Sequence, residues 1–109
     1  MNLIDNIIDK IIVYFEASKN FKVNQYDENT TYVDIEEVKD MHFITFNKET
    51  DTYKYILNFI QNGDFIKYQL DVTNENNMKK AITNSIKLIE DAEEYKKYAD
   101  ELQEMLTTL

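Results

Sequence analysis

Cysteine, proline, tryptophan and arginine do not occur in this 109-residue chain, and glycine and histidine occur once each. Without cysteine there is no disulfide, no thiolate nucleophile and no cysteine-ligated zinc or iron–sulfur centre. A single histidine, His42, excludes a paired-histidine zinc motif and argues against a Ser-His-Asp triad. The missing arginine bears on nucleic acids. Guanidinium groups make the bidentate contacts to phosphate and guanine, whereas here all 12 positive side chains are lysines, set against 21 carboxylates. A chain of net charge −9 repels a phosphate backbone, so direct nucleic-acid binding is not expected. No apolar run reaches the roughly 18–20 residues of a membrane span, and no membrane partner is expected. The opening stretch MNLIDNIIDKII carries isoleucines close behind its methionine, as a signal peptide would. Asp5 and Asp9 interrupt it, no basic region precedes it and no small-residue cleavage site follows. It reads as an amphipathic helix, which makes a cytoplasmic location the expectation.

The residues present are those of a folding chain. Apolar residues make up 43% of the sequence and aromatics 13%, enough for one modest core in a single domain spanning 1–109. Near the start, Ile4, Ile7, Ile8, Ile11, Ile12 and Phe15 recur at spacings of three and four, which predicts a helix over about 2–18 with Asn2 as its N-cap. From Phe21 the period becomes two. Strands are predicted over about 20–26, 31–38, 41–47, 52–60 and 64–72, with turn chemistry at 27–29 and 48–51. The third of these, MHFITFN, is apolar on both faces and reads as central or covered.

The one glycine, Gly63, follows Asn62, and Asn-Gly is the strongest short-range signal for a two-residue type I′ hairpin. In that register Tyr53, Tyr55, Leu57 and Phe59 oppose Val72, Leu70, Tyr68 and Ile66, all apolar or aromatic and all on one face. The other face sets Asn58 against Lys67, Ile56 against Gln69 and Lys54 against Asp71. A slip of one residue would place tyrosines against lysine and aspartate, so turn chemistry and face chemistry select the same pairing. A phosphate-cradling role for Gly63 would need more glycines and a following helix, and the chain runs instead into a strand. The same register assigns Tyr53, Tyr55 and Tyr68 to the core rather than to a base-stacking platform.

After Thr73, read as an N-cap, Met78, Ile82, Ile86 and Ile89 form a helical stripe with Ala81, Ser85 and Leu88 beside it. Tyr95, Tyr98, Leu102, Met105 and Leu106 continue it. One helix over 74–107 would measure about 50 Å at 1.5 Å per residue, against a radius of gyration of about 13 Å for a domain of this size. It must overhang, bend at the charged stretch Glu90–Glu94, or pack against another chain. The expected architecture is α+β: an N-terminal helix, a five-stranded antiparallel meander and a long or split C-terminal helix, packed in two layers.

Chemistry-bearing clusters are sparse. Asp34, Glu36, Glu37 and Asp40 lie close in sequence, and the segment from Asp27 to Val38 resembles a calcium loop in outline only. Tyr32 and Val38 occupy the places of its glycine and closing glutamate. Asp34 and Glu36 are expected on the polar face of one strand, where charge discourages edge aggregation. His42 has no base-orienting partner that can be nominated from sequence. No cofactor and no metal ligand set is therefore expected, and a carboxylate-only metal-dependent hydrolase is the sole enzymatic alternative.

Charge distribution is the remaining feature. Six acids fall between Asp27 and Asp40 and seven between Glu90 and Glu104. Such charge either serves solubility alone or addresses a basic partner. In size and composition the chain resembles the acidic inhibitors carried by phages and mobile elements, including some that block CRISPR nucleases. The resemblance is one of class, carried by size and charge and by no motif. It implies a non-enzymatic protein that occupies a basic, nucleic-acid-binding protein surface, with Asp27, Glu28, Asp34, Glu36, Glu37 and Asp40 as the electrostatic face. A second reading is a homodimeric adaptor or chaperone-like protein that uses Tyr95, Tyr98, Leu102, Met105 and Leu106 as its interface.

Overall fold

Ile4, Ile7, Ile8, Ile11 and Phe15 are buried along one side of a helix, α1, that runs Leu3–Ala17. Isoleucine is a mediocre helix former, so it is the burial of this stripe that holds α1 in place. The computed structural model describes residues 3–109, and the N-cap expected at Asn2 lies outside them. Five strands follow, β1 (Phe21–Gln25), β2 (Thr30–Ile35), β3 (Ile44–Glu49), β4 (Thr52–Gln61) and β5 (Asp64–Val72). They pair in sequence order as an antiparallel sheet. The chain closes with α2 (Glu75–Glu90), a 3₁₀ turn (Glu93–Tyr95) and α3 (Lys96–Thr107). The α+β meander with a split C-terminal helix is therefore the fold.

The Asn62-Gly63 hairpin has the expected register throughout, from Gln61 opposite Asp64 to Tyr53 opposite Val72. Asn62 and Gly63 both adopt left-handed backbone, at φ 54° and 84°. That is the type I′ geometry for which asparagine and glycine are suited. Three contacts show that the helices share one face of the sheet. Tyr53 donates to Asp5 of α1, Tyr55 bonds Ser85 of α2, and Asn84 of α2 donates to Tyr68. Tyr55 is fully buried, and Ser85 Oγ already donates to the Ala81 carbonyl. The Tyr55 hydroxyl must then be the donor to Ser85 across 2.7 Å. The opposite sheet face, with Lys54, Asn58, Lys67, Gln69 and Asp71, has none of the described helices over it.

Four local expectations change. β2 ends at Ile35, and Glu36 and Glu37 occupy a turn closed by the Val38 N–H on the Ile35 carbonyl at 3.0 Å. Glu36 therefore does not share a strand face with Asp34. β3 begins at Ile44, so Met41–Phe43 is not strand, although Met41 and Phe43 are buried. Left-handed Asp40 (φ 62°) turns the chain there, and the burial of Met41 and Phe43, with a backbone bond from the Asn58 N–H to the Phe43 carbonyl, explains why this stretch reads as strand in sequence. The N-cap of α2 is Asn74, whose Oδ1 accepts from the Asn77 N–H, and Thr73 instead donates its hydroxyl to Asn77. Leu88, expected beside the buried stripe of α2, is 39% exposed.

Beside the core, Asp5 accepts from the Tyr53 hydroxyl at 2.6 Å and from Lys48 Nζ at 3.1 Å. The Tyr53 hydrogen bond, and then Lys48, hold its carboxyl below the ordinary value of 3.8 against a smaller opposing effect of burial. A depressed folded-state pKa contributes stability that is complete above the unfolded value and is lost as pH falls through the folded one. Asp5→Asn is expected to cost about 1 kcal/mol near neutral pH, in keeping with a partly exposed pair. Thermal melts of the two proteins should converge below pH 3.8. A gap that persists unchanged down to about pH 2, well below the usual carboxylate range, would show that Asp5 acts through packing rather than charge.

Candidate acidic interaction surface

Phe43 is the residue that assembles one end of the molecule. Its ring is fully buried and stacks parallel to Tyr95 at 6.3 Å, with Phe21 at 6.0 Å and Tyr98 at 6.2 Å. Phe43 belongs to the connection between β2 and β3, whereas Tyr95 belongs to the corner between α2 and α3 and Tyr98 to the first turn of α3. Aromatic packing thus docks one connection against the other. Tyr95 ties in the third connection as well, because its hydroxyl accepts the Ile60 N–H near the β4–β5 turn. On the surface, Lys97 Nζ reaches Glu37 at 3.2 Å. Both ends of that pair are exposed, so it marks proximity and contributes little stability.

The three connections that meet here are rich in acids. Segment 36–43 supplies Glu36, Glu37 and Asp40, the start of β5 beside the hairpin turn supplies Asp64, and the α2–α3 corner supplies Asp91, Glu93 and Glu94. Only Lys39, Lys96 and Lys97 oppose them on the same segments. Gln61, Asn62 and Asp91–Glu94 surround a shallow polar hollow between hairpin and corner. The end of the first acid-rich stretch and the start of the second are therefore brought together by tertiary packing. Of the six residues expected to form one face, Glu36, Glu37 and Asp40 are exposed at this end. Asp27 and Glu28 lie in the turn before β2, where Asp27 Oδ1 accepts the Asn29 N–H at 2.8 Å. The length of β2 separates them from Glu36 by about 17 Å at 3.3 Å per residue.

No protein-family model, curated protein or solved structure matches this chain. The assignment of a surface rests on its own geometry.

Asp34 has a different task. Its Oδ1 lies 2.7 Å from His42 Nδ1, and the imidazole stacks face to face on Tyr32 at 3.6 Å with 7° between the planes. A carboxylate can only accept, so Nδ1 carries a proton and donates it to Asp34. Sequence reasoning found no partner for His42 because strand periodicity does not reveal where a returning loop crosses. The available signal was Asp34 on the uncovered sheet face, one short loop away. The hollow beside the pair is lined by Lys22, Glu36, Lys39 and Asp40, with no serine or threonine hydroxyl in its wall. Among the described residues, no three His, Asp or Glu side chains are grouped to hold a metal ion. No described helix is long and apolar enough to cross a membrane.

The five residues expected at a dimer interface are placed by the structure within the chain's own packing. Tyr95, Tyr98, Leu102 and Met105 are buried and Leu106 is half-buried against the same core. The premise for exposing them, a helix too long for its domain, disappears at Asp91–Ala92. There α2 ends with the Asp91 N–H bonded to the Ile89 carbonyl, and the chain folds back. The radius of gyration is 13.0 Å, as for an ordinary domain of this length.

Proposed function

We propose that this chain is a small, non-enzymatic acidic protein that binds a basic protein surface and thereby competes with nucleic acid for it. The supporting observation is the convergence of seven carboxylates on three connections at one end of the sheet, docked through Phe43, Tyr95 and Tyr98. Clustered charge on a rigid frame attracts a complementary surface at long range, and the one ion pair within the cluster among the described residues, Glu37 with Lys97, is solvent-exposed. The target class is a nucleic-acid-handling protein whose channel is lined with lysine and arginine, and a CRISPR nuclease is one example. It is also what the resemblance in size and charge to acidic inhibitors carried by phages and mobile elements implies. A cytoplasmic location belongs to the same reading.

The test compares the two ends of the molecule. Wild-type protein is used as bait in extracts of its native host, and the affinity of the captured protein is then measured by calorimetry at several salt concentrations. The triple substitution Glu36→Lys, Glu37→Lys and Asp40→Lys is expected to weaken binding by about 100-fold and to flatten its salt dependence. Asp27→Lys with Glu28→Lys, at the far end of β2, should change affinity less than about threefold, as for charges outside an interface. Equal affinity in the first variant and wild type, or capture of acidic proteins only, rejects the proposal. Asp34 is left intact in both because its reversal would also release His42.

A further inference from the structure

The last strand of the sheet has an outer edge with which no other described strand pairs. β5 is nine residues long, pairs with β4 at every position without a bulge and contains no proline. The opposite edge strand, β1, has five residues. Because Gln61 and Asp64 flank a two-residue turn, they form a hydrogen-bonded pair, and the pairing alternates from there. The even-numbered residues of β5 therefore turn their backbone groups toward β4, while Phe65, Lys67, Gln69 and Asp71 turn theirs outward. None of these four takes part in a backbone hydrogen bond outside the strands and helices. Long unprotected edges of this kind are templates for another strand.

We propose that this edge pairs with itself: two copies of the chain join β5 to β5 in antiparallel fashion, extending the sheet across a twofold axis at Gln69. The argument is the charge pattern of the strand. Outward backbone groups must face outward groups, which leaves three well-overlapped ways to centre the pairing. An axis at Lys67 sets two lysines face to face. An axis at Tyr68 leaves Lys67 opposite Gln69 and Asp71 opposite Phe65. An axis at Gln69 sets Lys67 opposite Asp71 of the second copy, and does so twice by symmetry. On the helix-covered face it also brings Tyr68 opposite Leu70 and Ile66 opposite Val72. These are non-hydrogen-bonded positions, where cross-strand side chains come closest.

The covering that this pairing supplies is one that the single chain lacks. Ile66, Tyr68 and Leu70 point toward the helices yet remain half-buried, unlike Tyr55, Leu57 and Phe59 on the neighbouring strand. Tyr68, Asn84, Lys87 and the partly exposed Leu88 rim an apolar hollow along the same edge. A second β5 continues the apolar row past that hollow. The association is independent of the acidic end described above, and failure of either proposal leaves the other standing. An isologous contact also uses one patch on both copies, as a closed dimer requires.

The test is the mass of the full chain by sedimentation at tens to hundreds of micromolar, in salt near 0.15 M to screen the net charge of −9 on each copy. Wild type is expected to approach twice 13.0 kDa. Lys67→Asp should weaken association at least tenfold by facing Asp71 with a like charge. Adding Asp71→Lys to it should restore association to within about threefold, because the pair is swapped and not lost. Gln69→Pro removes one outward N–H and no bond to β4, so it should abolish the dimer while circular dichroism reports a folded chain. For wild type alone, the amides of Lys67, Gln69 and Asp71 should be protected from exchange at high concentration and lose that protection on dilution. A monomeric wild type with those amides exchanging freely at all concentrations overturns the proposal, and so does a dimer that survives both Lys67→Asp and Gln69→Pro. Failure of the folded double variant to re-associate rejects the Gln69-centred register.

Discussion

Phe43→Ala should lower the unfolding free energy by about 3–5 kcal/mol, the usual cost of emptying a buried aromatic site. Phe43 is fully buried, and three aromatic neighbours within 6.3 Å leave little room for the site to collapse onto the void. Domains of this size have total stabilities of roughly 5–15 kcal/mol, so the loss is a large share of the whole. Urea denaturation should show a lower midpoint with a nearly unchanged slope. The consequence for the proposed function is separate from stability. Phe43 holds segment 36–43 against the α2–α3 corner, and without its ring Glu36, Glu37 and Asp40 lose their fixed relation to Asp91, Glu93 and Glu94. Phe43→Leu, which keeps most of the volume, should retain both the midpoint and the binding far better. A midpoint for Phe43→Ala within about 0.5 kcal/mol of wild type, the range of ordinary surface changes, would mean that Phe43 does not organise this end.

Leu102→Ala carries the second large effect and distinguishes a core residue from an interface residue. Leu102 is completely buried in α3. Its truncation should cost about 2–5 kcal/mol, and at roughly 4–8 °C per kcal/mol this lowers Tm by about 8–40 °C. At temperatures where the variant remains folded, its mass as a function of concentration should match that of wild type. The opposite pattern, a wild-type melt with altered association, would return α3 to the role of a partner-binding helix. The predicted asymmetry follows from where the apolar stripe is satisfied. Tyr98 touches Phe21 and Phe43, and Tyr95 meets Phe59 edge-on at 5.3 Å, so α3 closes the core of its own sheet.

Those residues also show how far sequence reasoning reaches. An apolar stripe at helical spacing states that a face will be buried. It does not state against what. Tyr95, Tyr98, Leu102 and Met105 carry the same signature whether they meet a second chain or return to the sheet. The break at Asp91–Ala92 decides between the two. Glu90–Glu94 is legible as a place to bend because it is the least apolar part of the segment, but the angle of return depends on packing. Asp27 and Asp40 likewise look like members of one acidic cluster along the chain. The intervening strand carries them to opposite ends of the sheet, while residues 36–40 and 91–97, distant in sequence, become neighbours.

The sequence by itself determined the elements and their local pairing. The α1 stripe, the two-residue Asn62-Gly63 turn and the complete β4–β5 register follow from periodicity and backbone chemistry, which act between residues close in the chain. Only the tertiary structure decided which apolar faces meet and which acids gather. It also paired His42 with Asp34 and left the outer edge of β5 without a partner strand among the described residues. These outcomes depend on contacts between segments dozens of residues apart, whose closure is set by the fit of whole surfaces and leaves no periodic trace in the sequence.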